Sequence, residues 1–390
     1  MQRGEINMPK SITVEIEPEV LKWLRESSGW KIEEVAKRLS TSAETVTEFE
    51  SGKKSLTLKQ LKILSASFKR PLAAFFLSKP KEEKPLPKDY RFLPNRKDVF
   101  DKKTILAIRR SRSLQNISKE LSLNINYETK TKVEKVELSE NPDLVAEKYR
   151  KFFNLDWEKQ KKFKDAYQLF NYLRDVLENL NILVFQFSMP IEDARGFALV
   201  DETPAIIVIN SKDGIEARLF SLMHEFGHVL LGETVIDIPE ASLDIRDNIE
   251  RWCNAFASSF LLPSQEAKKL FEENRANLTG TETLNALSRK YKVSKAVLLV
   301  KMLNLNYISR QEFENVVSRY VPKETKKKVE REKKGISMAP DKKCLSEMGN
   351  KFISLIANNF DKKFITYTDA LSYLSIKSKN FEKVLSKARK

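Results

Sequence analysis

The chain is poor in the residues that staple or anchor a protein. Only two cysteines, Cys253 and Cys344, occur in 390 residues, and they stand far apart. That excludes a disulfide framework and a cysteine-type zinc site, and it fits a reducing interior. No run of about 18 uninterrupted apolar residues is present, which excludes a membrane-spanning helix. The opening Met-Gln-Arg-Gly-Glu-Ile-Asn lacks the apolar centre of a signal peptide, so a cytoplasmic location is expected. Histidine is equally scarce, with two in the whole chain. What is abundant is ordinary: 41% hydrophobic residues, enough for real cores, and 32% charged residues with a mean hydropathy of −0.45, as in a soluble protein. A length of 390 residues suggests two or three domains. The net charge of +16 favours nucleic acid or an acidic protein partner, but a lysine surplus also marks some genomes generally, so charge alone decides little.

Both histidines fall in one stretch, Phe220-Ser-Leu-Met-His224-Glu225-Phe-Gly-His228-Val-Leu-Leu231. Residues four apart share a helix face, so His224 and His228 can offer both rings to one metal ion. Glu225 can then hydrogen-bond a water at that metal and take its proton. The plainer alternative is two histidines sharing an amphipathic helix by chance; with a glutamate so placed this is rare, and the metal reading is adopted. The helix is expected from about Gly214 to Leu231, with a stop at Gly232. Leu219, Leu222, Phe226, Val229 and Leu230 would anchor its buried sides, and Gly227 would leave room for close packing.

Two histidines are not a site, because catalytic zinc takes three protein ligands and keeps one position open. With no third histidine, a carboxylate is required. Glu233, Asp237, Glu240, Asp244 and Asp247 are candidates, most of them in a polar loop that would position them poorly. Glu250 opens a second strong helix, residues 248–263, whose Cys253, Ala257 and Leu261 form a small or apolar seam suited to packing on the metal helix. Glu250 is therefore preferred, although a lone glutamate on a helix is usually just solvated. Asn254, one turn on, can orient a ligand from behind or serve as a helix-packing amide.

Ahead of this region, residues 18–77 read as short helices. Leu21, Leu24, Val35, Ala36, Leu39, Val46, Phe49, Leu58, Leu61, Leu64 and Phe68 recur at helical spacing. Ser40-Thr41-Ser42 is a tight polar turn in which Ser42 can cap the next helix. The segment 31–54 thus has helix, turn, helix and a glycine stop, and resembles the repressor-type helix-turn-helix of phage regulators, down to the closing Phe49-Glu50-Ser51-Gly52-Lys53. The resemblance covers about sixty residues. It implies that the exposed face of residues 42–48 enters the major groove, with Ser42, Thr45 and Thr47 on bases or phosphates and Lys53 and Lys54 on phosphates. One departure weighs against this: the second helix carries Glu44, Glu48 and Glu50 and no basic residue. Glu50 matches a glutamate with a structural role in the family, whereas Glu44 and Glu48 repel phosphate unless they point away. Double-stranded DNA is the preferred partner, ahead of a helical protein-docking role.

Residues 79–103 form a proline- and charge-rich linker, and a domain boundary belongs there. Helical patterns return from about Lys103 to Leu180, over Leu144–Phe153 and Phe163–Leu180 among others, and read as scaffold. Strands are expected at Ile182–Phe187, Gly196–Val200 and Ala205–Asn210, with Asp201-Glu-Thr-Pro204 as a turn. After the second metal helix, Thr283–Leu305 repeats a helix, turn, helix pattern with Ser294 as a cap, and its lysines and arginines suit DNA binding or, preferably, packing on the core. Lys323–Lys334 is a charge run. Leu345–Phe360 and Asp369–Leu385 read as two helices of a tail, with Ile365-Thr-Tyr-Thr-Asp369 as a cap-rich turn.

Taken together, His224-Glu-Phe-Gly-His228 and Glu250-x-x-Cys-Asn254-x-Phe-Ala257-x-x-Phe-Leu-Leu-Pro263 resemble the ImmA/IrrE family of zinc metallopeptidases. Family members usually carry alanine where this chain has Cys253. The resemblance implies Glu250 as third zinc ligand and Glu225 as general base. It extends to the strand before the metal helix, to an N-terminal helix-turn-helix, and to Asp89-Tyr-Arg91-Phe, which looks like a short linker motif of such fused proteins. The expected fold is mainly α with a small β-sheet. It comprises a helix-turn-helix domain at 15–78, the linker at 79–103, a zincin-like metallopeptidase domain at 104–322 and a helical tail at 323–390. The expected function is zinc-dependent cleavage of a repressor- or antitoxin-like protein, regulating transcription of a phage or mobile element. The rivals are a DNA-binding regulator with a structural or sensing zinc site, and the toxin of a toxin–antitoxin pair. No residue pattern bears on oligomeric state.

Overall fold

A computed structural model describes residues 12–81, 100–232, 235–237, 248–318 and 338–388. Most of the expected linker, its Asp89-Tyr-Arg91-Phe motif, the loop candidates Glu233, Glu240, Asp244 and Asp247, and the charge run Lys323–Lys334 lie outside the described residues. The chain divides into two compact units, Met1–Leu86 with Asn95–Arg109, and Pro87–Pro94 with Arg110–Lys390.

In the first unit a two-residue strand, β1 (Thr13–Val14), pairs antiparallel with β2 (Leu56–Thr57). Around it stand α1 (Pro18–Glu26), α2 (Ile32–Leu39), α3 (Ala43–Glu50) and α4 (Leu58–Phe68). Ser42 ends the turn between α2 and α3 by accepting a hydrogen bond from the Thr45 amide at 3.2 Å, which satisfies one of the orphan donors at the start of α3. Leu24, Val46, Leu61, Leu64 and Phe68 meet in the core. Arg25 on α1 grips Glu50 at the end of α3 with two bonds, 2.6 and 2.9 Å long, so Glu50 is structural and its charge is spent inside the domain.

The second unit holds the greater part of α5 (Lys102–Asn124), then α6 (Pro142–Phe152), α7 (Trp157–Lys162) and α8 (Ala166–Asn179). The helix read as Phe163–Leu180 begins only at Ala166, because Asp165 caps it, accepting from the Gln168 amide at 2.9 Å. Strands β3 (Ile182–Phe187), β4 (Gly196–Leu199) and β5 (Ala205–Asn210) follow, then α9 (Ile215–Leu231), β6 (Val235–Asp237) and α10 (Asn248–Leu261). Strand order in the sheet is β3-β5-β4-β6, with β3 parallel to β5 and the other pairs antiparallel. Every residue of β3, β4 and β5 is buried, which is why their sequences are nearly continuous apolar runs. β6 is a departure: Asp237, read as part of a polar loop, belongs to a strand that pairs with β4. Its three-residue length gives too little alternation to be legible in sequence.

Beyond α10 come α11 (Ser264–Glu273), α12 (Thr281–Tyr291), α13 (Lys295–Asn304), α14 (310–318), α15 (Pro340–Met348), α16 (Asn350–Asp361), α17 (Tyr367–Leu374) and α18 (Phe381–Ala388). In the α12–α13 pair Lys292 and Lys301 are buried, Lys292 donating to the Lys161 carbonyl at 2.7 Å, so this basic cluster is partly turned inward. The two expected tail helices are each broken. Gly349 separates α15 from α16, and a turn at Ser375 separates α17 from α18.

The break at Gly349 is built around a buried ion pair on α8. Arg174 and Glu178 lie 3.0 Å apart and are almost fully buried. Arg174 donates to the carbonyls of Val184 on β3 and Ser346 on α15, the latter at 2.8 Å, and Glu178 accepts from the Lys351 amide at 2.9 Å. One charged pair thus serves the orphan carbonyls ending α15 and an orphan amide opening α16. Gly349 has φ of 78° and ψ of 158°, a region open essentially to glycine alone, and a Cβ there would lie 2.0 Å from Glu178 Oε1. Gly349→Ala is expected to cost about 1–3 kcal/mol, read as a lower midpoint in thermal unfolding, with faster proteolysis of the α15–α18 segment.

Candidate metal centre

α9 forms because its apolar residues run almost all the way round: Leu219, Leu222, Met223, Phe226 and Leu230 are fully buried. It ends where expected, at Gly232 in the left-handed region, whose amide returns to the carbonyls of His228 and Val229. α10 crosses it with Gly227 against Cys253, a pair so close that a Cβ on residue 227 would stand 3.1 Å from the Cys253 sulfur. That crossing carries Glu250, in the first turn of α10, to the histidine face of α9.

His224, Glu225, His228 and Glu250 are each 0% exposed. The Nε2 atoms of His224 and His228 lie 3.1 Å apart. Glu250 places one oxygen 3.3 Å from His224 Nε2 and the other 3.3 Å from His228 Nε2. These are the only three His, Cys, Asp or Glu residues among the described ones whose donor atoms come together in this way. Burial pushes the Glu250 carboxyl up, but hydrogen bonding and charge from the two imidazoles outweigh it and hold the group well below the ordinary carboxylate range. A tetrahedral zinc with bonds of about 2.0–2.1 Å separates its ligands by about 3.3–3.4 Å, so this donor set fits that ion. Two imidazoles and one carboxylate also match the ligand chemistry of hydrolytic zinc sites.

Glu225 sits on the same helix against β4. A Cβ at Gly196 would lie 3.0 Å from Glu225 Oε1, 3.2 Å from its Cγ and 2.9 Å from the Val208 carbonyl. Gly196 is thus the residue whose missing side chain lets Glu225 lie flat on the sheet, and sequence reasoning missed it. A glycine heading a buried strand is a recognised sign of close approach, and that signal was available. Phe220, half-buried one turn before His224, sets its ring 6.2 Å from the imidazole. Asn254 is half-buried on α10, one turn on from Glu250.

The residues singled out for DNA lie in the other unit. Ser42 and Thr47 are exposed, and Thr45 is half-buried. All three hydroxyls are engaged locally: Ser42 with Thr45 at 3.3 Å, and Thr47 donating to the Ala43 carbonyl at 3.1 Å. Lys53 and Lys54 are exposed, and Lys54 stands 3.8 Å from Glu48.

Residues 177–303 match the family described as IrrE N-terminal-like domain, and residues 21–75 match the family described as Helix-turn-helix. The first span runs from the end of α8 into α13 with all four buried residues of the centre, and the second runs from within α1 past the end of α4. No curated protein matches the chain significantly. The chain therefore joins a region similar to a metallopeptidase-type domain to an N-terminal helix-turn-helix of the DNA-binding type. Gly196→Ala is expected to destabilise the peptidase-type domain by about 1–3 kcal/mol in denaturant unfolding, because the displaced atoms include a backbone carbonyl.

Proposed function

We propose that this protein is a zinc-dependent endopeptidase that cleaves a repressor- or antitoxin-like protein, with its helix-turn-helix bringing the activity to DNA. The observation that carries the reading is the convergence of three fully buried donor groups, His224, His228 and Glu250, beside an equally buried Glu225. Zinc held by those three residues would polarise the scissile carbonyl and make a water acidic enough to attack at neutral pH. Glu225 takes a proton from the attacking water as its oxygen bonds to the carbonyl carbon. It then passes that proton to the amine as the carbon–nitrogen bond breaks. The apolar surround of α9 and the sheet keeps Glu225 out of bulk solvent.

Glu225→Gln keeps the size and removes the base, so hydrolysis of a repressor-like substrate should fall by about 10²–10⁴-fold. Zinc content by elemental analysis should stay at one ion per chain, whereas Glu250→Ala should lose both metal and activity. Full activity in Glu225→Gln would sink the mechanism.

For the helix-turn-helix, the exposed Lys53 and Lys54 just beyond the end of α3 support phosphate contacts. Replacing either lysine by alanine should weaken DNA binding evenly across sequences. Each replacement should also flatten the log–log salt dependence by about 0.9. Unchanged fluorescence anisotropy titrations in both variants would favour a protein-docking role instead.

A further inference from the structure

The candidate metal centre is closed. His224, Glu225, His228 and Glu250 are fully buried, so a peptide bond reaches them only if some part of the chain gives way. The sheet shows which part. β4 is the strand that lies against the proposed base, for Gly196 at its start is where the Glu225 carboxylate rests. A peptide brought beside Glu225 therefore has β4 as its nearest backbone, and an extended chain binds a strand by completing its ladder. Both sides of β4 are already taken.

On one side β4 pairs with β5 along the whole of Gly196–Leu199, and β5 is held on its far side by β3 over Ala205–Asn210. On the other side β4 pairs with β6, in the register Gly196 with Asp237, Phe197 with Ile236 and Ala198 with Val235. The two partners differ in how they can be removed. β5 is an interior strand with every residue buried, and taking it out would dismantle the sheet. β6 is an edge strand, the shortest of the four described, with β4 as its single neighbour in the sheet. A short edge strand is the part of a sheet that opens most readily, and a bared edge is what an incoming strand pairs with. The register supplies the position, since Asp237 stands opposite the same glycine that faces Glu225.

We propose that β6 is a removable strand that holds the place of substrate on β4 and keeps the metal centre shut until an extended, antiparallel peptide displaces it. The exchange is strand for strand, so the backbone hydrogen bonds that β4 loses with β6 are remade with the incoming chain. It defines the substrate class as a protein segment whose backbone is not already paired, such as a linker or an unfolded stretch. A helix or an interior strand has no backbone groups to offer. The peptide as visitor rests on the peptidase reading; the strand that moves rests on the fold alone.

The test locks β6 in place. Ala198 and Val235 stand directly opposite each other, where a Cα spacing of about 4.5–5.5 Å suits a disulfide. The full-length Ala198→Cys/Val235→Cys variant is oxidised with diamide, and closure is checked by alkylation and intact mass; the native Cys253 and Cys344 are buried. Hydrogen exchange of the β4 amides should be at least about tenfold slower in the locked form than after reduction, because the amides bonded to β6 exchange only when it leaves. With zinc supplied, cleavage of unfolded casein should be absent in the locked form and return on reduction. Val235→Pro/Ile236→Pro works in the opposite direction. Neighbouring amides of a strand point to opposite sides, so one of the two prolines removes a ladder donor whichever pair is bonded. Exchange of the β4 amides should then quicken by at least about threefold. If the cysteine pair does not close, the proline variant decides. If neither the parent nor any variant cuts casein, it is the peptidase reading that fails, and hydrogen exchange alone decides on β6. Equal exchange in the locked and reduced forms, cleavage by the locked form, or an unchanged rate in the proline variant overturns the proposal.

Discussion

The crossing of α9 and α10 is arranged around three candidate ligand groups that have been taken out of water together. Two imidazole nitrogens 3.1 Å apart, each 3.3 Å from a carboxylate oxygen, are all fully buried. Converging lone pairs in a dry interior repel one another unless protons or a cation lie between them. A site of this kind has to be held by surrounding structure, and here the holding is done by two helices that cross where Gly227 meets Cys253. Gly227 against Cys253 fixes the height of α10 on α9, and with it the position of Glu250. The sheet supplies the opposite constraint, since β4 offers Gly196 where Glu225 must lie.

A second use of buried charge shapes the C-terminal helices. Arg174 and Glu178 on α8 do not simply neutralise one another; they also meet backbone groups at the end of α15 and the start of α16. Arg150 does the same at the end of α10 with one of its two terminal nitrogens. In each case a charged side chain replaces the water that a helix end would otherwise need. The difference is that Arg174 is hydrogen-bonded to a carboxylate, whereas Arg150 is hydrogen-bonded to a carbonyl and an amide oxygen.

Several features were legible because they depend on local chemistry. The bounds of α9 follow from its apolar surround and from Gly232. Ser42 and Ser294 act as caps because their hydroxyls reach an amide three residues on. The strands β3 and β5 are continuous β-branched and apolar runs. Where local signals are short or compete, the reading differed from the structure. β6 is three residues long, and the tail helices were drawn across Gly349 and Ser375, since apolar spacing continues on both sides of each break. The seam through Cys253 and Ala257 suggested that α10 packs on α9, but spacing alone left five other carboxylates in contention with Glu250.

Residue order along the chain was thus enough to say that His224 and His228 share a helical face with Glu225 between them, because helical pitch is the same in every protein. It was enough, too, to demand a carboxylate as third ligand, because the chain has no other histidine. Only the packed molecule decided that Glu250 is the carboxylate brought to 3.3 Å from both rings, and that Gly196 is the gap in the sheet that accommodates Glu225. Those are distances between elements separated by long stretches of chain, set by how closely two helices and a sheet can approach. The same holds for Arg150, whose bond to the Phe260 carbonyl joins residues 110 apart in the chain.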